Sequence, residues 1–177
     1  VAGLDRISQV FKTLLWEKSK TYNLSPIQIQ LLIFIAYHSD EKTTVSYLSQ
    51  EFNLSKPTIS DTIKTLEQKQ FINKIIDKKD TRSYTIELTE KGENIVFETE
   101  SFVNPLTDII TNLKQNDKLV LWKNITGIIQ QLNELKIISV QRTCFKCKYY
   151  SNINNNSFCN LLNQNLNTED IRIDCEE

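Results

Sequence analysis

The sequence predicts a mainly α-helical chain with one small β-ribbon and a short cysteine-bearing tail. Three observations carry that expectation. Apolar residues recur at helical spacing over most of the 177 residues. The period changes to strand-like alternation only between residues 71 and 88. All four cysteines fall in the last 34 residues. Hydrophobic residues make up 40%, enough for a core, and three glycines with three prolines argue against disorder. No apolar run approaches the ~18–20 residues of a membrane span. The first residues lack the apolar core of a secretory signal, so a cytoplasmic location is expected. The one histidine, His38, limits imidazole chemistry to a single base and rules out zinc sites needing two. There is no Gly-rich phosphate loop, so an enzyme is not expected.

Taken in order, Ile7, Val10, Phe11, Leu14 and Leu15 form a first amphipathic stripe, with Lys18 and Lys20 near its end. Ser25-Pro26-Ile27-Gln28 is a capping box with proline in the first turn. Behind it Ile27, Leu31, Leu32, Ile35 and Ala36 keep helical spacing. Residues 44–52 make a helix of about two turns, with Val45, Leu48 and Phe52 on one face. Ser55 caps the next helix, in which Ile59, Ile63 and Leu66 face a core. Lys56, Pro57, Thr58, Ser60, Asp61 and Lys64 are left on or beside its outward face. Residues 71–76 and 84–88 read as two strands around a polar tip, residues 77–83.

From Thr89 helical spacing returns. Ile95, Val96, Phe102, Val103, Leu106, Ile109, Ile110 and Leu113 form one stretch, with Pro105 a kink or break. A second runs from Leu119 through Trp122, Ile125, Ile128 and Leu132 to Ile138. These stripes exceed what the small central module can cover, which implies a symmetric dimer. Trp16, Trp122 and His38 lie in or beside apolar stripes and are expected in the core, with His38 also a candidate lining for an effector cavity. From Arg142 the texture turns short and Asn-rich; eight of residues 151–167 are Asn. The domain expectation is therefore 1–24 as an N-terminal dimerisation helix, 25–91 as a reading module, 92–141 as C-terminal dimerisation helices and 142–177 as a four-cysteine element.

Helix, short helix, helix and ribbon in that order make a winged helix-turn-helix. The second of its paired helices offers short polar side chains that fit a major groove. Its N-terminal amides, with Ser55 and Thr58, suit phosphate oxygens. The tip carries Lys78, Lys79 and Arg82, cations for a phosphate backbone or narrow minor groove, and Asp80 is placed to orient Arg82. The chain's net charge is −1, yet residues 42–91 hold nine Lys+Arg against seven Asp+Glu. Residues 92–141 hold four against six. Cations are segregated, not abundant.

Residues 4–138 resemble the MarR family of bacterial transcriptional regulators. The resemblance rests on Leu54-Ser55-Lys56-Pro57-Thr58-Ile59-Ser60, on Leu66-Glu67-Gln68-Lys69, and on the wing Asp77-Lys78-Lys79-Asp80-Thr81-Arg82-Ser83 with Leu88-Thr89-Glu90-Lys91-Gly92. It implies a homodimer joined through its terminal helices. Such a dimer binds a pseudo-palindromic double-stranded DNA operator, usually as a repressor released by a small-molecule effector or by oxidation. It also implies that Asp80 orients the wing arginine Arg82. Gln70 departs from the pattern, because the family commonly has glycine there.

Cys144, Cys147, Cys159 and Cys175 follow the pattern C-x2-C-x11-C-x15-C. Two thiols two residues apart can grip one ion from a single turn, and two more complete a tetrahedron. A cytosolic chain keeps its thiols reduced, which argues against disulfides. Zinc would be structural and saturated; an iron–sulfur cluster also takes four thiolates. The tail resembles the cysteine spacing and aromatic packing of high-potential iron–sulfur proteins. Three functions stay open: a DNA-binding transcriptional regulator with a metal site, a metal or redox sensor acting on transcription, and a protein-interaction module built on a zinc knuckle.

Overall fold

The chain begins with α1 (Ala2–Tyr22), which stops at Asn23 in the left-handed conformation, φ 52°, with the Leu24 amide bonded to the Ser19 carbonyl. The computed structural model describes residues 1–76, 84–140, 142–153 and 156–176. They divide into two compact units, Val1–Asn112 and Leu113–Glu177.

In the first unit α2 (Pro26–Tyr37) carries the expected capping box. The Gln28 amide donates to Ser25 Oγ, and the Ser25 amide donates to Gln28 Oε1 at 2.9 Å. This helix is apolar nearly all round because it is buried nearly all round. It packs against α1, against α4 (Lys56–Gln68) and against the elements that follow α4. Its Ile29, Leu31 and Leu32, Leu48 of α3 (Val45–Glu51), and Ile59, Ile63 and Leu66 of α4 are all 0% exposed. Each such side chain contributes about 1.5–3 kcal/mol by leaving water. The expected i, i+4, i+7 face of α4 is thus the core face. Thr62 joins it, its hydroxyl donating to the Thr58 carbonyl at 2.8 Å.

The ribbon is β1 (Ile72–Ile76) antiparallel to β2 (Tyr84–Leu88), in register from Ile72 opposite Leu88 to Ile76 opposite Tyr84. Ile72 and Ile86 point into the core, while Ile75 and Ile76 stay exposed. Thr43, buried in the turn before α3, accepts a bond from the Ile86 amide. Then come α5 (Glu90–Glu100), a 3₁₀ turn (Ser101–Val103) and α6 (Asn104–Thr111). Pro105 opens α6, where its missing amide costs nothing, so the break lies in the 3₁₀ turn before it. Lys18 and Tyr22 of α1 bond Glu98, and the Tyr37 hydroxyl donates to the Glu100 carboxylate, which fastens α5 to α1 and α2.

The second unit holds α7 (Gln115–Glu134) and a three-stranded antiparallel sheet of β3 (Tyr150–Ile153), β4 (Asn156–Cys159) and β5 (Gln164–Leu166), in that order. The sheet was not foreseen. The boundary between units falls at 112/113, ahead of α7, whereas the change of composition falls at residue 142.

One junction sets the angle of the ribbon. The end of α4 is a Schellman stop: the Phe71 amide bonds the Leu66 carbonyl, the Gln70 amide bonds the Glu67 carbonyl, and Gln70 takes φ 62°. The segment opening α5 then takes the carbonyls left over. Lys91 Nζ donates to Lys69 O, Thr89 Oγ1 to Gln70 O and the Thr89 amide to Phe71 O, at 2.7–3.0 Å. Thr89 Oγ1 also accepts from the Gly92 amide as the N-cap of α5. A Cβ on Gly92 would sit 2.0 Å from the Phe71 carbonyl oxygen.

Two outcomes follow from this junction. Gly92→Ala should cost about 3 kcal/mol in chemical denaturation, since backbone must move to admit the methyl. Gln70→Gly should stabilise by about 0.5–1 kcal/mol. The left-handed strain of an L-residue is about 1–2 kcal/mol, and the extra freedom of unfolded glycine offsets part of its removal.

Candidate nucleic-acid interface

The outward face of α4 is as the sequence placed it. Ser55, Lys56, Pro57, Thr58, Asp61 and Lys64 are exposed, and Ser60 is half-buried at the margin. The core face is anchored through Ile59, Thr62, Ile63 and Leu66, so the polar row sits on a rigid element. Ser55 accepts the Thr58 amide at 3.2 Å, and its hydroxyl meets the Thr58 hydroxyl at 2.8 Å. Those hydroxyls therefore cap the helix first. No acidic side chain stands in the first turn, which leaves the positive end of the helix dipole open to an anion.

Lys78, Lys79, Asp80 and Arg82, the expected wing contacts, lie outside the described residues. The strands that carry them are described, and they add contacts that sequence reasoning missed. Lys74 of β1 pairs with Glu67 of α4 and lies 5.3 Å over the Tyr84 ring. Lys69 Nζ donates to the Asn23 carbonyl at 2.8 Å, tying the end of α4 to the end of α1. The first of these contacts joins β1 to α4, and the second joins α4 to α1. The spacing of Glu67 and Lys74 across a turn gave no helical or strand periodicity to find them by.

Two expectations about aromatic residues need correction. Trp16 is 53% exposed, although Leu15 beside it on α1 is buried. It lines an apolar cleft of about 730 Å³ with Phe11, Leu15, Pro26, Gln30 and Phe102. His38 does not line that cleft. Its ring stacks on Phe34 at 3.8 Å, and Nδ1 meets the Phe34 carbonyl at 2.9 Å, an end-of-helix contact. Trp122 is half-buried and lines a separate cleft within the second unit, with Lys123, Thr126, Gln130, Phe145 and Asn165.

Of the four cysteines Cys144 is buried and Cys147, Cys159 and Cys175 are half-buried; none is in a disulfide. Among the described residues, no three His, Cys, Asp or Glu side chains form a group ready to hold a metal ion. No helix among them is long and apolar enough to cross a membrane.

The family model described as transcriptional regulator SarA/Rot matches residues 13–99. The chain is 29% identical over 118 residues to the uncharacterized HTH-type transcriptional regulator YwaE of Bacillus subtilis strain 168, covering 66% of this chain and 65% of that protein. To the HTH-type transcriptional regulator SarZ of Staphylococcus haemolyticus it is 28% identical over 116 residues, covering 54% and 79%. Both relatives are named as regulators, not enzymes. The chain thus spans just under two thirds of the length of the first. Among solved structures, S. aureus MepR in its DNA-binding conformation superposes with a TM-score of 0.65 at 22% identity, covering 73% of this chain and 95% of that one. Streptococcus pneumoniae FabT in complex with DNA gives 0.59 at 22%, covering 74% and 95%. At such identities the likeness establishes the fold, a winged helix of the expected MarR type.

Proposed function

We propose that the chain, whose residues 13–99 match the model of SarA/Rot transcriptional regulators, binds double-stranded DNA as a homodimeric repressor. The observation that carries the reading is the face of α4. Its five exposed polar or charged residues, Ser55, Lys56, Thr58, Asp61 and Lys64, stand on a helix whose other side is locked into the core. Lys56 and Lys64 would meet phosphates, whereas Ser60 and Asp61 are short enough to reach base edges, Asp61 accepting from a cytosine amino group. Arg82, Lys78 and Lys79 would extend the contact from the wing, with Asp80 holding Arg82 in place.

The dimer follows from apolar surface. Leu4, Ile7, Val10 and Phe11 of α1 and Ile109 and Ile110 of α6 are exposed on the first unit; on the second, Val120, Ile125 and Ile128 of α7 are exposed. Such surfaces normally meet a partner. A two-fold pair would place two copies of α4 about one DNA turn, roughly 34 Å, apart, matching a pseudo-palindromic operator. The cleft beneath Trp16 is the place for a small-molecule effector, since α1 forms part of both the cleft and this surface.

The direct test is a mobility-shift assay with the DNA upstream of the protein's own gene. Selective binding that weakens steeply with salt is expected. Lys64→Ala and Arg82→Ala should each weaken it and lower the log K against log salt slope by about one. Arg82→Ala binding as well as wild type at moderate salt would remove the wing from the interface. Light scattering tests the dimer: Ile109→Asp should give a folded monomer, because this side chain is 64% exposed and the monomer gains nothing from it. An unchanged mass would exclude α6 from the contact.

A further inference from the structure

The second unit has an unusual shortage of core. Among the described residues of Leu113–Glu177, Cys144 and Ile171 are the only buried apolar side chains, joined by the hydroxyl residues Thr126 and Thr143. A unit this small, with so little apolar burial, normally needs a staple. The backbone collects the thiols that could supply one. The Cys147 amide bonds the Cys144 carbonyl at 3.0 Å, closing a tight turn between the first two cysteines. Cys144 and Arg172 exchange bonds: the Cys144 amide donates to the Arg172 carbonyl, and the Arg172 amide donates to Cys144 Sγ at 3.2 Å. Three residues on, the Cys175 amide donates to the Arg142 carbonyl, beside the Arg142–Asp174 ion pair. Cys159 pairs across the sheet with Tyr150, whose amide bonds the Cys147 carbonyl.

One feature of that arrangement is that of a metal knuckle and not of four incidental small hydrophobes. Backbone amides already point at sulfur: Tyr149 N–H to Cys147 Sγ at 3.4 Å, and Arg172 N–H to Cys144 Sγ. Such bonds stabilise a thiolate and hold its direction. The backbone brings the four cysteines into one neighbourhood, but among the described residues no three of them stand as a ready cage, so binding requires the thiols to close on the ion.

We propose that Cys144, Cys147, Cys159 and Cys175 bind one Zn²⁺ ion through four thiolates, and that the ion is the structural staple of residues 113–177. A closed set of four sulfurs leaves no position for substrate, so the role is structural. The occupant proposed is a single ion; an iron–sulfur cluster would take the same four thiolates and is an outcome of the test. The inference stands apart from DNA binding, since none of its residues lies on α4 or the wing.

The test is metal analysis of the full chain purified reduced and without oxygen, followed by Co²⁺ titration of the metal-free protein. One zinc per chain is expected. So is a single Co²⁺ site with the visible bands and sulfur-to-cobalt charge transfer of tetrahedral thiolate. Cys147→Ser and Cys175→Ser should each weaken Co²⁺ binding about 100-fold or more and reduce the charge-transfer band, whereas Asn160→Ala should leave both unchanged. Absence of zinc and of any Co²⁺–thiolate band in the wild-type chain overturns the proposal whether or not the variants fold. Stoichiometric iron and sulfide with broad visible absorption overturns it equally.

Discussion

The three carbonyls left at the end of α4 govern the geometry of everything around them. A helix cannot satisfy its own last acceptors, and here Lys69, Gln70 and Phe71 present theirs toward the start of α5. Lys91, Thr89 and the Thr89 backbone take one each. Lys91 adds a positive charge where the helix dipole is negative, and its ammonium lies 4.7 Å over the Phe71 ring. Leu-Thr-Glu-Lys-Gly is therefore a cap supplied to the reading helix by the next helix. The wing must leave and return between the two ends of that cap, so its direction is set by the same bonds.

Much of the first unit was legible because local chemistry and burial agree there. Ser25 and Gln28 form the box their spacing promised, Ser55 caps α4, and the alternation of residues 84–88 is a strand. Where they disagree the sequence misled. Trp16 has the spacing of a core residue, but periodicity reports only that a face is apolar, not which chain covers it. Gln70, which stands where the resembled family commonly has glycine, does take a conformation that suits glycine. The sheet of the second unit was invisible for a different reason: Tyr-Ser-Asn-Ile, Asn-Ser-Phe-Cys and Gln-Asn-Leu do not alternate cleanly, and their few strand formers are diluted by Asn, Ser and Gln. Pairing there depends on contacts distant in sequence. Of the residues expected at the interface, those on α4 are exposed as their spacing requires, since outwardness follows directly from the core face opposite.

The two units settle the same deficit by different means. The first buries a continuous apolar cluster and still shows apolar side chains on α1 and α6. Its surplus asks for another surface. The second has almost no buried apolar side chains of its own, and hydrogen bonds between backbone groups position its chemistry instead. Under the proposed dimer and metal site, folding is tied to what the chain binds, because partner association and ligation add free energy only to the folded state.

The helix stops share a further pattern. Where α1, α3, α4 and α7 end, a residue at positive φ is followed at once by a large apolar one: Asn23-Leu24, Asn53-Leu54, Gln70-Phe71 and Lys136-Ile137. In each, the apolar residue's amide reaches back five residues to a helix carbonyl. Glycine, the usual occupant, is absent from all four. The chain thereby carries a mild strain in the folded state in exchange for loops that have fewer conformations to lose when they order. Its scarcity of glycine is thus a displacement of entropy: the turns are partly decided before the protein folds.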